Sequence, residues 1–416
     1  MEQAQAIDTT RLRGGQRWPE EGFTRVPSWI YADENLYRRE LDRFFGGDAW
    51  CFVGFECELP RVGSFRRTWM GERQVVVVRD EDGINVVENR CAHRNAAICW
   101  KNAGEVKELT CPYHQWSYSL KGELQGVPLR RGVHGQGGMP ADFDPGRHGL
   151  RKLRVAVRGG TIWATFSDTA PAFADYCGAE LTARFDRIFP GKPLRVTGYS
   201  RQLIPSNWKL YLENSRDPYH ATLLHTFFIT FGLFRADNEH LTSPVQGGRH
   251  SSNYAISAGR KVTSETAQMK RFSHGLQLRD MELVGHRDEF GDRQNTALQI
   301  FPSVFIQQHA NVLAIRHIIP RGVDKVELSW TFFGYEDDDA QLRRLRCKQA
   351  NLVGPGGVVS LEDSELLKQL QTNVRGYPES TAFVEMGGTD VKTQYSMATE
   401  VGIRAFYDFY RREMGV

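Results

Sequence analysis

Several features that would place a protein in a special class are missing from this chain of 416 residues. Its apolar runs, such as residues 75–78, are strand-sized and fall far short of the ~20 residues of a membrane-spanning helix. The first residues have neither the basic start nor the apolar middle of a signal peptide. Lys plus Arg (53) nearly balances Asp plus Glu (50), so charge gives no reason to expect nucleic acid or an anionic membrane as partner. We therefore expect a soluble, cytoplasmic, enzyme-sized protein of one large or two ordinary domains.

Cysteine is scarce as well, since the chain has seven, an odd number that argues against a disulfide framework. Two of them stand near histidines, in Cys91-Ala-His93 and, after seventeen residues, in Cys111-Pro-Tyr-His114. Two short loops that each offer a thiolate and an imidazole suit a two-iron, two-sulfur cluster with mixed ligands. A tetrahedral zinc site is the alternative, although zinc motifs normally pair cysteine with cysteine and histidine with histidine. The remaining interpretation, two unrelated loops, requires both matched pairs to arise by chance.

The pattern of apolar and turn-forming residues divides the chain into two regions. Residues 48–166 hold short β-rich runs between turn signals and predict an all-β module around the two loops. Residues 1–47 and 167–416 mix both patterns and predict an α+β domain with helices on one face of an antiparallel sheet. The predicted strands are 65–70, 74–79, 84–88, 155–157, 161–166, 194–204, 299–308, 312–320 and 326–335. The predicted helices are 30–45, 172–189, 208–228, 337–352, 361–374 and 399–414.

A second candidate metal site lies in residues 207–225. His220 and His225 are five positions apart, about 500° around an ideal helix, so a bend is needed to bring them together. Pro218 supplies a reason for that irregularity. Two histidines and one carboxylate form the facial triad of mononuclear non-haem iron, which leaves positions open for oxygen and substrate. By itself the spacing also fits two hydrogen-bonded histidines in a core helix.

Taken together, the two motifs resemble those of ring-hydroxylating oxygenase large subunits, which join a Rieske domain to a mononuclear iron domain. Arg94 and Trp116, which flank the cluster motif, fit the Rieske pattern. Respiratory-chain Rieske proteins have a disulfide where this chain has Ala96 and Tyr113, so the resemblance is to the oxygenase and ferredoxin branch. Asn95 departs from the usual glycine, but Asn tolerates a left-handed backbone better than other non-glycine residues. Over nearly its full length the chain is most similar to large subunits acting on salicylate, anthranilate or terephthalate.

This resemblance implies an all-β Rieske [2Fe-2S] domain and a helix-grip catalytic domain that binds Fe(II). The cluster ligands it implies are Cys91, His93, Cys111 and His114. The implied iron ligands are His220, His225 and an acidic residue of a late helix, which in the family follows a Gly-Pro-x-Gly turn and another acidic residue. Here the turn is residues 354–357, so Asp363 is the first choice and Glu362 the second.

The resemblance also assigns roles to two polar residues near the iron motif. Asp217 would accept hydrogen bonds from His220 and from His114 of a neighbouring subunit, which requires a head-to-tail ring such as a trimer. The bridge would orient an imidazole and shorten the electron path. Asn214 is expected either near the iron or as ordinary polar lining of its helix.

Electrons must come from elsewhere, because the sequence has no G-x-G-x-x-G fingerprint and no plant-type ferredoxin cysteine run. NAD(P)H would act only indirectly, through a flavin reductase with or without a ferredoxin. The resemblance further implies a small (beta) subunit in an assembly of three alpha and three beta chains, with a trimer of alpha chains as the alternative. The rival functions are a Rieske electron carrier without catalysis and a zinc-stabilised scaffold.

The substrate pocket is less evident in the sequence. Arg316, Gln307 and Gln308 interrupt apolar runs in the late strands, and a buried Arg needs an anionic partner. An aromatic carboxylate would serve, and so would an internal Asp or Glu. Phe227 belongs to an aromatic group that either walls the pocket or fills the core. We expect O2-dependent hydroxylation of anthranilate, salicylate or a substituted benzoate, by dioxygenation or monooxygenation.

Overall fold

The N-terminal part of the chain contributes a short strand and a helix before the β-rich region. The computed structural model describes residues 16–256, 264–291 and 294–416; the first fifteen residues, expected to carry no signal peptide, lie outside this description. Strand β1 is Arg25–Pro27 and helix α1 is Glu34–Glu40, continued by a π-helical turn at Leu41–Phe45. The predicted helix 30–45 therefore begins later than expected, because Asp33 caps it by accepting from the Leu36 amide at 2.7 Å.

An antiparallel β module follows, as predicted for this region. Its strands are β2 (Cys51–Phe55), β3 (Ser64–Met70), β4 (Arg73–Arg79), β5 (Ile84–Glu88), β6 (Ala103–Glu105), β7 (Leu109–Thr110), β8 (Ser117–Tyr118), β9 (Leu124–Gly126), β10 (Lys152–Arg158) and β11 (Thr161–Thr165). The larger sheet runs in the order β2-β11-β10-β5-β4-β3-β6, and β7-β8-β9 form a smaller one. The first Cys and His loop lies between β5 and β6, and the second joins β7 to β8. The two loops thus reach one end of the module from different sheets.

The rest of the chain forms a long antiparallel sheet with helices packed against it, which confirms the α+β prediction. In chain order the elements are α2 (Phe173–Cys177), α3 (Ala179–Ile188), β12 (Leu194–Ile204), α4 (Trp208–Arg216), α5 (Ala221–Leu224), α6 (Thr226–Thr230), β13 (Glu239–Val245), β14 (His250–Ile256), α7 (Ser264–Ala267), β15 (Gln294–Ile300), β16 (Val304–His309), β17 (Val312–Pro320), β18 (Val326–Tyr335), α8 (Ala340–Val353), α9 (Val358–Gly376), β19 (Thr381–Phe383) and α10 (Val401–Met414). The sheet order is β12-β18-β17-β16-β15-β14-β13. Among the described helices, none is both long and apolar enough to cross a membrane.

Several predicted elements are divided in the structure. The predicted strand 299–308 is wrong, because the chain turns at 301–303 and forms the antiparallel pair β15 and β16. Pro302 has no N–H to give to a sheet ladder, which explains why the strand stops there. The predicted helix 172–189 is broken at Gly178, which has a φ of 77°. The predicted helix 208–228 is three short helices, α4 to α6, and strands β13 and β14 were not predicted.

Buried polar side chains tie the N-terminal segment to the α+β region that follows the β module. Glu40, at the end of α1, forms an ion pair with Lys209 at 2.8 Å, with both side chains fully buried. The carboxylate of Glu40 also accepts from the Trp208 indole at 2.8 Å and from the Tyr410 hydroxyl. Burial lowers the pKa of Lys209, and the charge of Glu40 opposes this effect. Loss of either member of such a buried pair destabilises the folded protein, because the other charge is left buried without a partner.

Candidate metal centres and substrate cavity

The two Cys and His loops have the same backbone geometry. The Asn95 amide donates to the Cys91 carbonyl at 3.0 Å, and the Gln115 amide donates to the Cys111 carbonyl at 2.9 Å. Asn95 has a φ of 61° and Gln115 a φ of 58°, both in the left-handed region. The prediction that Asn95 keeps the glycine conformation is confirmed. The matching conformation at Gln115 was missed, because Gln has no special preference for it.

The four candidate cluster ligands meet at the loop tips. Cys91 and Cys111 are buried, and their thiols are close enough to interact with each other. The rings of His93 and His114 lie at the more exposed side, with centroids 4.6 Å apart. Two buried thiols behind two outward imidazoles fit a mixed-ligand two-iron, two-sulfur cluster, in which cysteines hold one iron and histidines the other.

Two aromatic residues support these ligands. The Tyr118 hydroxyl lies 3.1 Å from the Cys91 sulfur, within reach to donate a hydrogen bond to a thiolate, and it accepts from the Ala92 amide at 3.2 Å. The Trp116 ring is stacked on His93 with centroids 4.7 Å apart and an interplanar angle of 4°. Trp116 was noted in the sequence as part of the motif, whereas Tyr118 was not singled out.

The second candidate centre is formed by His220, His225 and Asp363. Their ligand atoms all lie within 4.8 Å of one another. Each histidine Nε2 is 3.5 Å from the same Asp363 oxygen, Oδ1. The histidines converge because the backbone leaves the helical conformation at Asp217 (φ −99°, ψ 99°) and at His225 (φ −84°, ψ 95°). The bend that the spacing required is therefore present on both sides of α5.

Carboxylates hold the outer nitrogens of both rings. His220 Nδ1 is 3.2 Å from Asp217 Oδ2, and His225 Nδ1 is 3.0 Å from Glu362 Oε2. Burial opposes the charged form of His220, but the hydrogen bond and charge of Asp217, together with the charge of Asp363, outweigh it and raise the pKa of the ring. An imidazole whose Nδ1–H is fixed by a carboxylate presents Nε2 as the ligand atom. Two such rings and one carboxylate fit a facial iron site with open positions.

Asn214 lies within this centre. Its Nδ2 is 3.3 Å from His220 Nε2 and donates to Asp363 Oδ1 at 3.1 Å. It therefore bridges two candidate ligands, which agrees with the placement near the iron rather than with simple lining of the helix. Glu362, the second choice for the acidic ligand, faces the opposite side of His225 from Asp363.

A cavity opens beside the three candidate iron ligands and encloses about 750 Å³ of empty space, its mouth included. Its far wall is the inner face of β14 to β17. Cross-strand pairing aligns Asn253 with Ala297, Ala297 with Gln307, and Phe305 with Arg316, so these side chains share one face. Apolar and aromatic side chains line most of the cavity and a few polar groups converge on it, as is typical of sites for small organic ligands.

Arg316 is the buried cation of this wall. It is 7% exposed, and its guanidinium lies over the Trp330 ring at 4.1 Å and the Phe305 ring at 4.8 Å. It donates to the Tyr211 hydroxyl at 3.2 Å and to Gln307 Oε1. Within the described residues Arg316 has no carboxylate partner, and its Nε has no hydrogen-bond acceptor. The internal Asp or Glu that would have satisfied it is therefore absent from that part of the chain.

One of the predicted pocket residues needs correction, and another lines the cavity with its amide already hydrogen-bonded. Phe227 does not line the cavity, because its ring packs on Phe231 with centroids 4.7 Å apart; the neighbouring Phe228 lines it instead. Gln308 borders the cavity, but its amide is engaged elsewhere, accepting from Arg187 at 3.1 Å and donating to the Ala310 carbonyl at 3.0 Å. Gln307 does line the cavity and holds Arg316.

Sequence reasoning also missed His309. It is the last residue of β16, and alternation along the strand places it on the same face as Phe305 and Gln307. That alternation could have identified it, had the strand been assigned residues 304–309 rather than 299–308.

Comparison with protein families matches two parts of the chain. Residues 49–135 match the Rieske [2Fe-2S] domain, and residues 185–415 match the ring hydroxylating alpha subunit (catalytic domain). The two matches contain the two candidate metal centres described above.

Several curated proteins are similar over almost the whole chain. The large oxygenase component of salicylate 5-hydroxylase from Ralstonia sp. is 45% identical, covering 96% of each chain. The large subunit of anthranilate 1,2-dioxygenase from Burkholderia cepacia is 43% identical, covering 96% of this chain and 95% of the other. A terephthalate 1,2-dioxygenase terminal oxygenase alpha subunit from Comamonas sp. is 41% identical, covering 96% of this chain and 97% of the other.

A solved structure with the same fold is naphthalene 1,2-dioxygenase from Rhodococcus sp. bound to indole. The TM-score is 0.78 at 22% identity, over 94% of each chain. This likeness establishes the architecture of a Rieske domain joined to a catalytic domain.

Proposed function

We propose that this chain, which belongs to the large (alpha) subunits of Rieske aromatic-ring-hydroxylating oxygenases, hydroxylates an aromatic carboxylate. Members of the family carry a Rieske [2Fe-2S] cluster and a mononuclear iron, and they receive electrons from a reductase. The observation that carries the substrate proposal is Arg316, a buried cation in the cavity wall without a carboxylate partner in the described part of the chain.

We assign the cluster to Cys91, His93, Cys111 and His114, and the iron to His220, His225 and Asp363. Asp363 is preferred to Glu362 as third ligand because its Oδ1 is equidistant from both Nε2 atoms, whereas Glu362 is hydrogen-bonded to His225 Nδ1. In this assignment Glu362 orients a ligand and Asp363 is one. We also propose that residues 48–166 form the Rieske domain and that residues 1–47 and 167–416 form the catalytic domain.

The substrate carboxylate would sit against the Arg316 guanidinium, which is stacked between two aromatic rings and steadied by Tyr211 and Gln307. Charge-assisted hydrogen bonds of this kind are strong in a water-poor site. All three relatives described above are named for substrates that carry an aromatic carboxylate, which agrees with this placement.

The residues of the chain divide the remaining work. When bound, the iron supplies oxygen activation and the cluster supplies electrons. Asp217 and Glu362 fix the orientation of the two imidazoles through their Nδ1 atoms, and Asn214 links His220 to Asp363. Phe228 and Phe234 exclude water from the cavity beside the centre. Arg316 sets which edge of the ring is presented.

Further partners follow from the family membership. We propose a small (beta) subunit in an assembly of three alpha and three beta chains, and a flavin reductase with or without a ferredoxin as donor. In that assembly Asp217 would also accept from His114 of the next subunit. Its Oδ2 contacts His220 at 3.2 Å, and its side chain is 18% exposed, so it can be reached from outside.

Arg316→Gln is the test of the carboxylate proposal. Losing a charge-assisted contact in a buried site should raise KM for benzoate derivatives by at least about 30-fold. The cluster absorbance should be unchanged, and an uncharged analogue such as benzamide should be little affected. Arg321→Gln is the matched control, because Arg321 pairs with Glu327 outside the cavity. An unchanged KM for carboxylates would refute Arg316 as their anchor.

Monooxygenation, as in the salicylate 5-hydroxylase relative, is the second candidate outcome. Dioxygenation and monooxygenation differ in how many atoms of labelled O2 enter the product. A turnover with a surrogate reductase, ¹⁸O2 and a panel of benzoates, analysed by mass spectrometry, distinguishes one incorporated atom from two.

A further inference from the structure

His309 is a buried imidazole in the cavity wall, and one of its two ring nitrogens, Nε2, has no hydrogen-bond partner within the described residues. His309 is 7% exposed and borders the cavity. Buried polar side-chain atoms in folded proteins are nearly always paired, so an exception at a ligand cavity calls for an explanation.

The position of His309 is fixed by the turn that follows it. Asn295 Oδ1 accepts from the Ala310 amide at 2.8 Å, and Gln349 Oε1 accepts from the Asn311 amide at 3.0 Å. Arg346 donates to the Asn311 carbonyl at 2.6 Å. Side chains from β15 and α8 therefore clamp the β16–β17 turn, and the imidazole is held in place before any ligand arrives.

The ring itself is held neutral. It is stacked on Phe228, with centroids 4.9 Å apart and an interplanar angle of 26°. Burial, with smaller contributions from the charges of Arg316 and of nearby histidines, lowers the pKa of His309 to about 4. A neutral imidazole has one N–H donor and one acceptor nitrogen, so it can pair with either kind of polar group.

His309 and Arg316 lie on the same face of the sheet but at different positions along the strands. His309 pairs with Val312, and Arg316 pairs with Phe305, four positions further along the strands. Four residues of strand span about 13 Å. Arg316 donates to Gln307, which lies between the two levels, so its guanidinium leans toward His309. The space between the His309 imidazole and the Arg316 guanidinium suits one aromatic ring with a polar group at each end.

Resting on the proposed function, we propose that His309 determines specificity by hydrogen-bonding a second polar substituent on the substrate. The substituent is a hydroxyl or amino group on the ring whose carboxylate Arg316 holds. Phe228 then lies beside the imidazole as an apolar surface for the ring. Because His309 would contact the substrate directly, it would also fix which ring carbon faces the iron centre.

The test measures binding of a ligand panel to the holoenzyme without oxygen. The panel contains benzoate and its 2-, 3- and 4-hydroxy and amino derivatives. The wild-type chain should bind at least one derivative about tenfold more tightly than benzoate. His309→Phe should bring the ratio of the benzoate Kd to the Kd of that derivative close to one. It should leave the benzoate Kd within about threefold of the wild-type value, because a phenyl ring retains the stack on Phe228. His309→Gln should restore part of the preference.

His317→Phe is the matched control. His317 is also a buried imidazole without a hydrogen-bond partner for its Nε2 in the described residues, but it faces Phe52 outside the cavity. The His317→Phe variant should leave the ratio of the benzoate Kd to the Kd of each derivative unchanged. The corresponding methylbenzoates, in which a methyl group of similar size replaces the hydroxyl or amino group and can neither donate nor accept, provide a readout on the wild-type chain that does not depend on a variant folding. They should show no preference over benzoate.

The outcomes separate the two proposals. If benzoate binding is lost in Arg316→Gln but the His309→Phe ratios equal those of the wild type, the inference about His309 fails and the carboxylate proposal stands. If Arg316→Gln leaves benzoate binding intact, the carboxylate proposal itself fails. A wild-type chain with no preference among the panel also overturns the role of His309.

Discussion

The two proposed metal centres are built on different plans. The cluster loops lie within residues 91–114, and their histidine rings are supported by stacking and sit near the surface. The iron site combines side chains far apart in the chain, such as His225 and Glu362, which are 137 positions apart. Both of its imidazoles are fixed by carboxylates, whereas the described hydrogen bonds give the cluster histidines none. A centre that passes electrons needs access to a partner, while one that handles substrate needs an enclosed, oriented set of ligands.

The largest expected effect comes from removing the carboxylate proposed as an iron ligand, a kind of ligand that the cluster site lacks. Asp363→Ala should reduce hydroxylation by more than about 100-fold, because the iron loses a ligand. Cluster absorbance and its EPR signal should be retained, which would show that the two centres are independent. Glu365→Ala, on the exposed side of the same helix, is the control. A larger loss in Glu362→Ala than in Asp363→Ala would reverse the ligand assignment.

A smaller effect is expected from the carboxylate that orients a ring. Glu362→Leu removes the acceptor for His225 Nδ1 and should weaken Fe(II) binding or turnover by about 10- to 100-fold. Glu362→Gln keeps an acceptor oxygen and should lie between this variant and the wild type. The measurement is iron content after dialysis against a series of Fe(II) buffers. Equal iron retention in all three chains would mean that packing alone orients His225.

The smallest effect concerns the backbone of the cluster loop. Asn95→Val places a β-branched residue at a φ of 61° and should lower the free energy of unfolding by about 1–3 kcal/mol. Asn95→Gly should change it by less than about 1 kcal/mol, because glycine accepts this conformation freely. Denaturant titration with the cluster absorbance as signal gives both values. Equal stability of the Val and Gly variants would contradict the idea that this position selects residues by backbone conformation.

The contrast also explains how far the sequence could predict the molecule. The cluster motif is local, so its ligand types and the left-handed Asn95 could be read from a few neighbouring residues. His220 and His225 were recognisable, but Asp363 was chosen only through a family resemblance. Nothing in the local pattern indicates that Glu362 and Asp363 contact opposite sides of His225.

The fold shows the same limit. Long strands with continuous apolar or alternating patterns, such as β12, β17 and β18, were predicted with their observed bounds. The turn at Pro302 was passed over because apolar residues continue on both sides of it. That error shifted the strand carrying Gln307 and hid His309, whose role depends on the alternation of faces.

The contact between helix α1 and the region that follows the β module limits where the protein can be divided. Glu40 precedes the β module in sequence, yet its carboxylate is the counter-charge of Lys209, which follows that module. Strand β1 likewise pairs with β19, near the other end of the chain. The β module is thus an insertion between two stretches that close on each other. A truncated protein that starts after it would keep Lys209 in an apolar interior with its anion deleted, so the catalytic region must be expressed with its distant N-terminal segment.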